Sequence, residues 1–118
     1  MITLLVACLC AEWCDTCRDY RAEFNALGKE FPRHRFIWFD IEERSEQLGD
    51  IDVENFPTLL VASGEQVLFA GTMLPQISRL RRMLLSIQED GKEQNGALPP
   101  AQMDAYRRLA ISLQETAG

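Results

Sequence analysis

Two short apolar runs, residues 2–9 and 36–41, flank a segment whose large apolar residues recur at helical spacing. That order leaves the chain few ways to fold. The first run carries β-branched residues and no charge, the pattern of a strand buried on both faces. Residues 14–27 read as a helix: Cys17, Tyr20, Phe24 and Leu27 fall on one face, and Gly28 supplies the C-terminal stop. Strand, helix and strand in this order predict a βαβ unit, with parallel strands and a right-handed crossover.

Further along, residues 43–48 predict a short helix and 58–62 a third strand. Ser63-Gly64-Glu65-Gln66 is a turn, and residues 67–70 a fourth strand that closes an antiparallel hairpin. Residues 74–89 read as a helix with Pro75 in its first turn and Ile77, Leu80, Leu84 and Ile87 on one face. The polar, glycine-containing stretch 90–97 predicts a linker. Pro99 and Pro100 then start a last helix, 101–114, whose apolar face is Met103, Tyr106, Leu109, Ala110 and Leu113. A linker followed by an amphipathic helix predicts a docking element rather than a second domain.

At 118 residues the chain suffices for one domain with one core, without a disulfide staple. Its net charge of −6 argues against non-specific binding to nucleic acid or to an anionic membrane. The first apolar run is too short to span a bilayer. Leu5-Val6-Ala7-Cys8 looks like a lipoprotein cleavage box, but no basic residue precedes it and the apolar run before it is too short for a signal segment. The expected location is therefore the cytoplasm, a reducing compartment.

All four cysteines lie within ten residues, from Cys8 to Cys17. Cys14 and Cys17 form a C-x-x-C at the junction of the first strand and the first helix. A helix N-terminus offers unpaired amides and the positive end of the dipole, which favour a thiolate on Cys14. Cys17 lies one turn deeper, within reach of it. Three readings stand: a redox dithiol, inert core residues, or a four-cysteine zinc site. Zinc is disfavoured because Cys8 and Cys10 would sit on a strand running into the core. Two residues apart, they share one strand face. They are either small core residues or auxiliary thiols that exchange with the Cys14 pair.

Ala11-Glu12-Trp13-Cys14-x-x-Cys17, followed roughly 40 residues later by Phe56-Pro57-Thr58, resembles the thioredoxin family, and the likeness extends over residues 2–89. The resemblance implies an α/β, thioredoxin-like fold: a four-stranded mixed sheet of order 2-1-3-4 flanked by helices, with the C-terminal helix as an addition. It implies a thioredoxin-like domain over residues 1–90, with the linker and last helix, 91–118, packed on the same domain. The activity it implies is thiol–disulfide exchange on protein disulfides, with Cys14 as nucleophile and Cys17 as the resolving thiol. Trp13, Phe56, Pro57, Thr58 and Gly71 would contact the substrate, with a cis peptide bond before Pro57. No cofactor or metal is implied, only a protein disulfide or dithiol substrate and an electron donor.

The departures are specific. The chain begins at what would be the family's central strand. Asp15-Thr16 stands where the family has Gly-Pro. The family's buried aspartate aligns with Cys8, its neighbouring lysine with Trp38, and its helix-kinking proline with Ala22. The dithiol carries over, but the usual proton relay does not. An alternative reading is thus a protein-binding or redox-sensing module with little turnover.

The remaining polar residues have plainer expectations. His34 reads as a surface residue, Asp40 and Glu42 as caps of the second strand, and Trp38 as core. Segment 36–41 becomes a sheet edge; the last helix is expected to pack, through Met103, Tyr106, Leu109 and Leu113, on the sheet face that the family's first helix would cover, and the alternative is edge-to-edge pairing of 36–41 in a weak dimer of otherwise monomeric chains.

Overall fold

Leu5–Cys10 forms β1, a strand buried along its whole length. The computed structural model describes residues 3–53, 55–90 and 99–115 of the chain. α1 (Asp15–Glu30) follows, then β2 (Arg35–Asp40), paired parallel to β1 with Cys8 opposite Trp38 and Cys10 opposite Asp40. The short α2 (Ser45–Leu48) leads to β3 (Thr58–Ser63), antiparallel to β1, and on to β4 (Gln66–Thr72). The sheet order is β2-β1-β3-β4, the mixed four-stranded arrangement expected from the sequence. α3 (Ile77–Asp90) and α4 (Pro100–Glu115) complete the chain. The linker expected over residues 90–97 lies, apart from Asp90 at the end of α3, outside the described residues. Among the described residues no helix is long and apolar enough to cross a membrane.

Strand alternation sorts the core into two layers. On one face Leu4, Val6, Cys8 and Cys10 meet Leu59 and Val61 of β3, under Cys17, Tyr20, Phe24 and Leu27 of α1 and Leu80, Leu84 and Ile87 of α3. On the other face Leu5, Ala7 and Leu9 meet Phe39, Leu60 and Ala62, covered by Ala105, Tyr106, Leu109, Ala110 and Leu113 of α4. A register shift between Val61 and Ala62 lets β4 skip one residue, so neighbouring Leu68 and Phe69 both serve the first layer. Polar bonds hold both ends of α4. The Gln102 side chain donates to the Asp50 carbonyl and accepts from the Asp52 amide, and Gln114 donates to the Gly64 carbonyl. β2 is a sheet edge, with the Arg21 guanidinium over the Trp38 ring and Arg44 over Phe39.

Three expectations shift. Gly28 does not stop α1, which runs on to Glu30; a Cβ there would lie 3.2 Å from the Phe36 ring, so glycine allows the helix to approach β2 closely. α3 begins at Ile77 rather than Leu74, because a turn in which the Gln76 amide bonds the Leu74 carbonyl first takes the chain out of β4. His34 is not a surface residue but 7% exposed, stacked on Phe31. Its Nδ1 accepts the Leu4 amide at 3.1 Å, and its Nε2 bonds the Gln88 side chain.

Burial holds the His34 pKa below its ordinary value, so the folded chain prefers the neutral ring. The sign follows: the contribution is full above the unfolded value of about 6.5 and is lost as pH falls through the lower folded value. The melting midpoint is expected to fall between about pH 7 and pH 5. His34→Asn should lower the midpoint at pH 7 and flatten that slope. A slope as steep as the parent's would contradict this role.

Candidate active site

The loop from β1 to α1 decides where each sulfur goes. Cys14 turns back through its amide to the Ala11 carbonyl at 3.1 Å and enters α1 as its N-cap, with extended backbone. Its carbonyl takes the first helical bond, from Arg18, and no side chain caps the first turn. The first turn of a helix leaves amides without an intrahelical partner, and Cys14 stands at that end of α1. Cys14 is a half-buried free thiol. Asp15 and Arg18, both largely exposed, pair with each other.

Cys17 begins the buried face of α1, and Cys10 ends β1 on the strand face that looks toward that helix. A disulfide joins them, with Cα atoms 5.8 Å apart. The resemblance implied a Cys14–Cys17 pair instead. C-x-x-C spacing says which cysteines neighbour one another along the helix, not which strand cysteine faces it. The Cys8 sulfur lies 3.7 Å from that of Cys10. Burial pushes the Cys8 thiol far up, so it stays protonated. With Cys10 and Cys17 bonded to each other, no group of three or more His, Cys, Asp or Glu among the described residues is placed to hold a metal.

Tyr20, one turn beyond Cys17, is 2% exposed, and its hydroxyl has no hydrogen-bond partner among the described residues. Burial raises its pKa first, and a charge on Cys8 would raise it further. An unpaired buried hydroxyl is costly, so Tyr20→Phe is expected to raise stability by about 1 kcal/mol. Chemical denaturation of the oxidised protein measures this, and a loss of stability would mean that the hydroxyl has a partner.

The surface around Cys14 is aromatic. Trp13 is 62% exposed and meets Phe56 edge-on, with ring centroids 5.5 Å apart. Its indole N–H donates to Glu42 at 2.6 Å. Spacing along the chain hides that role for Glu42; the register of β1 on β2, Cys10 opposite Asp40, supplies it. Asp40 accepts from the Glu42 and Glu43 amides, the capping role expected of it. The Trp13–Phe56 contact sets the Cys14 loop against the 56–58 turn, where the Phe56–Pro57 bond is cis. Pro57 and Thr58 are buried. The Thr58 hydroxyl donates to the Asn55 carbonyl, and the Pro57 carbonyl accepts the Met73 amide.

Gly71 stands apart from this aromatic contact. It pairs with Leu59 at a φ of 151°, where a side chain is strained, and shares a shallow cavity with Thr58, Gln102 and Tyr106 on the α4 side. Burial, and then the nearby Asp52 charge, push Tyr106 in that cavity up to about 12.

The thioredoxin family model matches residues 2–80. No curated protein matches the chain. Thioredoxin from Trypanosoma brucei brucei is 27% identical and superposes with a TM-score of 0.67 over 75% of this chain and 77% of that one. Thioredoxin from Fasciola hepatica is 24% identical, with a TM-score of 0.65 over 71% of this chain and 80% of that one. A thioredoxin of Nicotiana alata is 21% identical, with a TM-score of 0.65 over 73% of this chain and 74% of that one. At such identities the last two show a shared fold alone.

Proposed function

Because this chain belongs to the thioredoxin family, we propose that it is a thiol–disulfide oxidoreductase that acts on protein disulfides through Cys14 and Cys17. The observation that carries the reading is the place of Cys14: a free, half-buried thiol that forms the N-cap of α1. The thiolate, not the thiol, is the attacking form in disulfide exchange.

The cycle starts once a dithiol donor has reduced the Cys10–Cys17 disulfide. The Cys14 thiolate attacks one substrate sulfur, and the other leaves as a thiolate. The Cys17 thiolate then attacks the Cys14 sulfur, which releases the second substrate thiol and forms Cys14–Cys17. Trp13 and Phe56 supply an aromatic wall, and Pro57 with the Thr58 backbone holds an extended substrate beside Cys14. Gly71 admits the substrate backbone at the far end. The donor is a protein or small dithiol, and the expected compartment is the cytoplasm. Arg21 and Arg44, lying over the aromatic rings of β2, put charge along the sheet edge and favour a monomer.

Reduction of insulin by dithiothreitol tests the reading. The intact chain should speed it severalfold or more over dithiothreitol alone. A rate at that background would favour the second reading, a redox-sensing or binding module. One observation supports that alternative: in the structure Cys17 is bonded to Cys10 and so withdrawn from resolving a substrate on Cys14.

A further inference from the structure

We propose that Cys10 is a third redox-active cysteine of this site, and that Cys17 passes its disulfide bond between Cys14 and Cys10. The inference rests on the exchange activity proposed above and adds to it a step within the chain.

Cys17 has two candidate partners. Cys10 is already bonded to it from the end of β1. Cys14 sits at the N-cap of α1, three residues before it. A C-x-x-C at the head of a helix is the spacing of redox dithiols, which close a disulfide between their two cysteines. The two disulfides therefore compete for one sulfur. They also differ in what they leave at the surface. Closing Cys14–Cys17 removes the half-buried nucleophile, whereas closing Cys10–Cys17 leaves Cys14 free and hides both oxidised sulfurs, Cys10 at 0% and Cys17 at 1% exposure.

The step balances without an outside reagent. After a substrate has been reduced, the chain holds Cys14–Cys17 and a Cys10 thiol. Cys10 attacks the Cys17 sulfur as its proton passes to solvent; the Cys10–Cys17 bond forms, the Cys14–Cys17 bond breaks, and Cys14 leaves as the thiolate. One disulfide is exchanged for another, so no electrons are gained or lost. The geometry favours this direction. Charge moves from a fully buried sulfur to a half-buried one, and a buried thiolate is the costlier of the two. Cys8 lies 3.7 Å from Cys10 and is placed to offer a weak S–H hydrogen bond to the Cys10 sulfur while that sulfur is charged. The oxidised protein thus keeps its surface nucleophile.

The pairs can be mapped chemically. No Lys or Arg lies before Arg18, so trypsin leaves all four cysteines on one peptide, but cleavage at Glu12 and Asp15 separates Cys10, Cys14 and Cys17. Reduced full-length chain is mixed with one equivalent of 5,5′-dithiobis(2-nitrobenzoate), quenched in acid at intervals, blocked with N-ethylmaleimide and mapped. The Cys14–Cys17 linkage should rise first and then fall as Cys10–Cys17 replaces it, with Cys14 ending alkylated. In Cys10→Ser the Cys14–Cys17 linkage should persist. In Cys14→Ser, where the reagent must reach buried sulfur directly, Cys10–Cys17 should form at least about tenfold more slowly.

A wild-type linkage that stays at Cys14–Cys17, or an equal rate of Cys10–Cys17 formation in Cys14→Ser, overturns the proposal. Insulin turnover fails separately: a chain that exchanges internally but does not speed insulin reduction would sink the oxidoreductase reading and leave the internal step standing.

Discussion

Cys14→Ser is expected to drop insulin reduction to the dithiothreitol background while leaving the fold in place. Serine keeps the shape of the side chain but is almost wholly unionised at neutral pH, so the attacking group is lost. For a nucleophile the loss is commonly about a thousandfold or more, which here means turnover below detection. The structure gives a reason for the fold to survive. Cys14 is half-buried and unbonded, and serine is among the best N-cap residues, so its hydroxyl can take a first-turn amide. The melting midpoint should therefore stay level or rise slightly. Cys17→Ser should lose turnover as completely but also destabilise the oxidised chain, because it breaks the Cys10–Cys17 bond. Retained turnover in Cys14→Ser would move the nucleophile elsewhere.

The second large effect concerns α4. Leu109 is 1% exposed and sits in the core layer with Leu5, Leu9, Phe39 and Leu60. Leu109→Ala is expected to cost about 2–5 kcal/mol, the lost burial plus the cavity left behind. For a chain of this size that lowers the melting midpoint by roughly 10–20 °C. Arg107 is the control on the same helix. It is half-exposed, and its pair with Asp104 at 3.3 Å is the kind of surface contact worth little. Arg107→Ala should change stability by less than about 0.5 kcal/mol. Deleting residues 97–118 would bare the whole layer and should leave no cooperative transition near the parent midpoint. An unchanged midpoint after that deletion would contradict the packing of α4 on the sheet.

The order of elements was legible because it depends on periodicity. Cys17, Tyr20, Phe24 and Leu27 announce a helix face by their spacing, and the uncharged run before Cys8 announces a central strand. The apolar face of α4, Tyr106, Leu109, Ala110 and Leu113, was legible for the same reason. What escaped depends on register and on contacts between elements. A link from one of the two strand cysteines to the pair was an open reading, but its choice of Cys10 and Cys17 needs Cys10 to end β1 on the face under α1. The hydrogen bond from Trp13 to Glu42 needs Cys10 to stand opposite Asp40. His34 carries the polar neighbours of a surface residue, yet its ring satisfies an amide at the start of the sheet. Gly28 looks like a helix stop and is a point of close approach to Phe36. In each case local chemistry suggested one use, and a partner outside the residue's own element imposed another.

The most direct measurement of the central claim is covalent. Reduced Cys17→Ser, incubated with a protein disulfide and resolved without reductant, should hold that substrate as an adduct on Cys14, located by mass spectrometry and released by dithiothreitol. A chain that traps nothing, or an adduct on Cys8 or Cys10 with Cys14 left free, would contradict the assignment of Cys14 as the attacking sulfur.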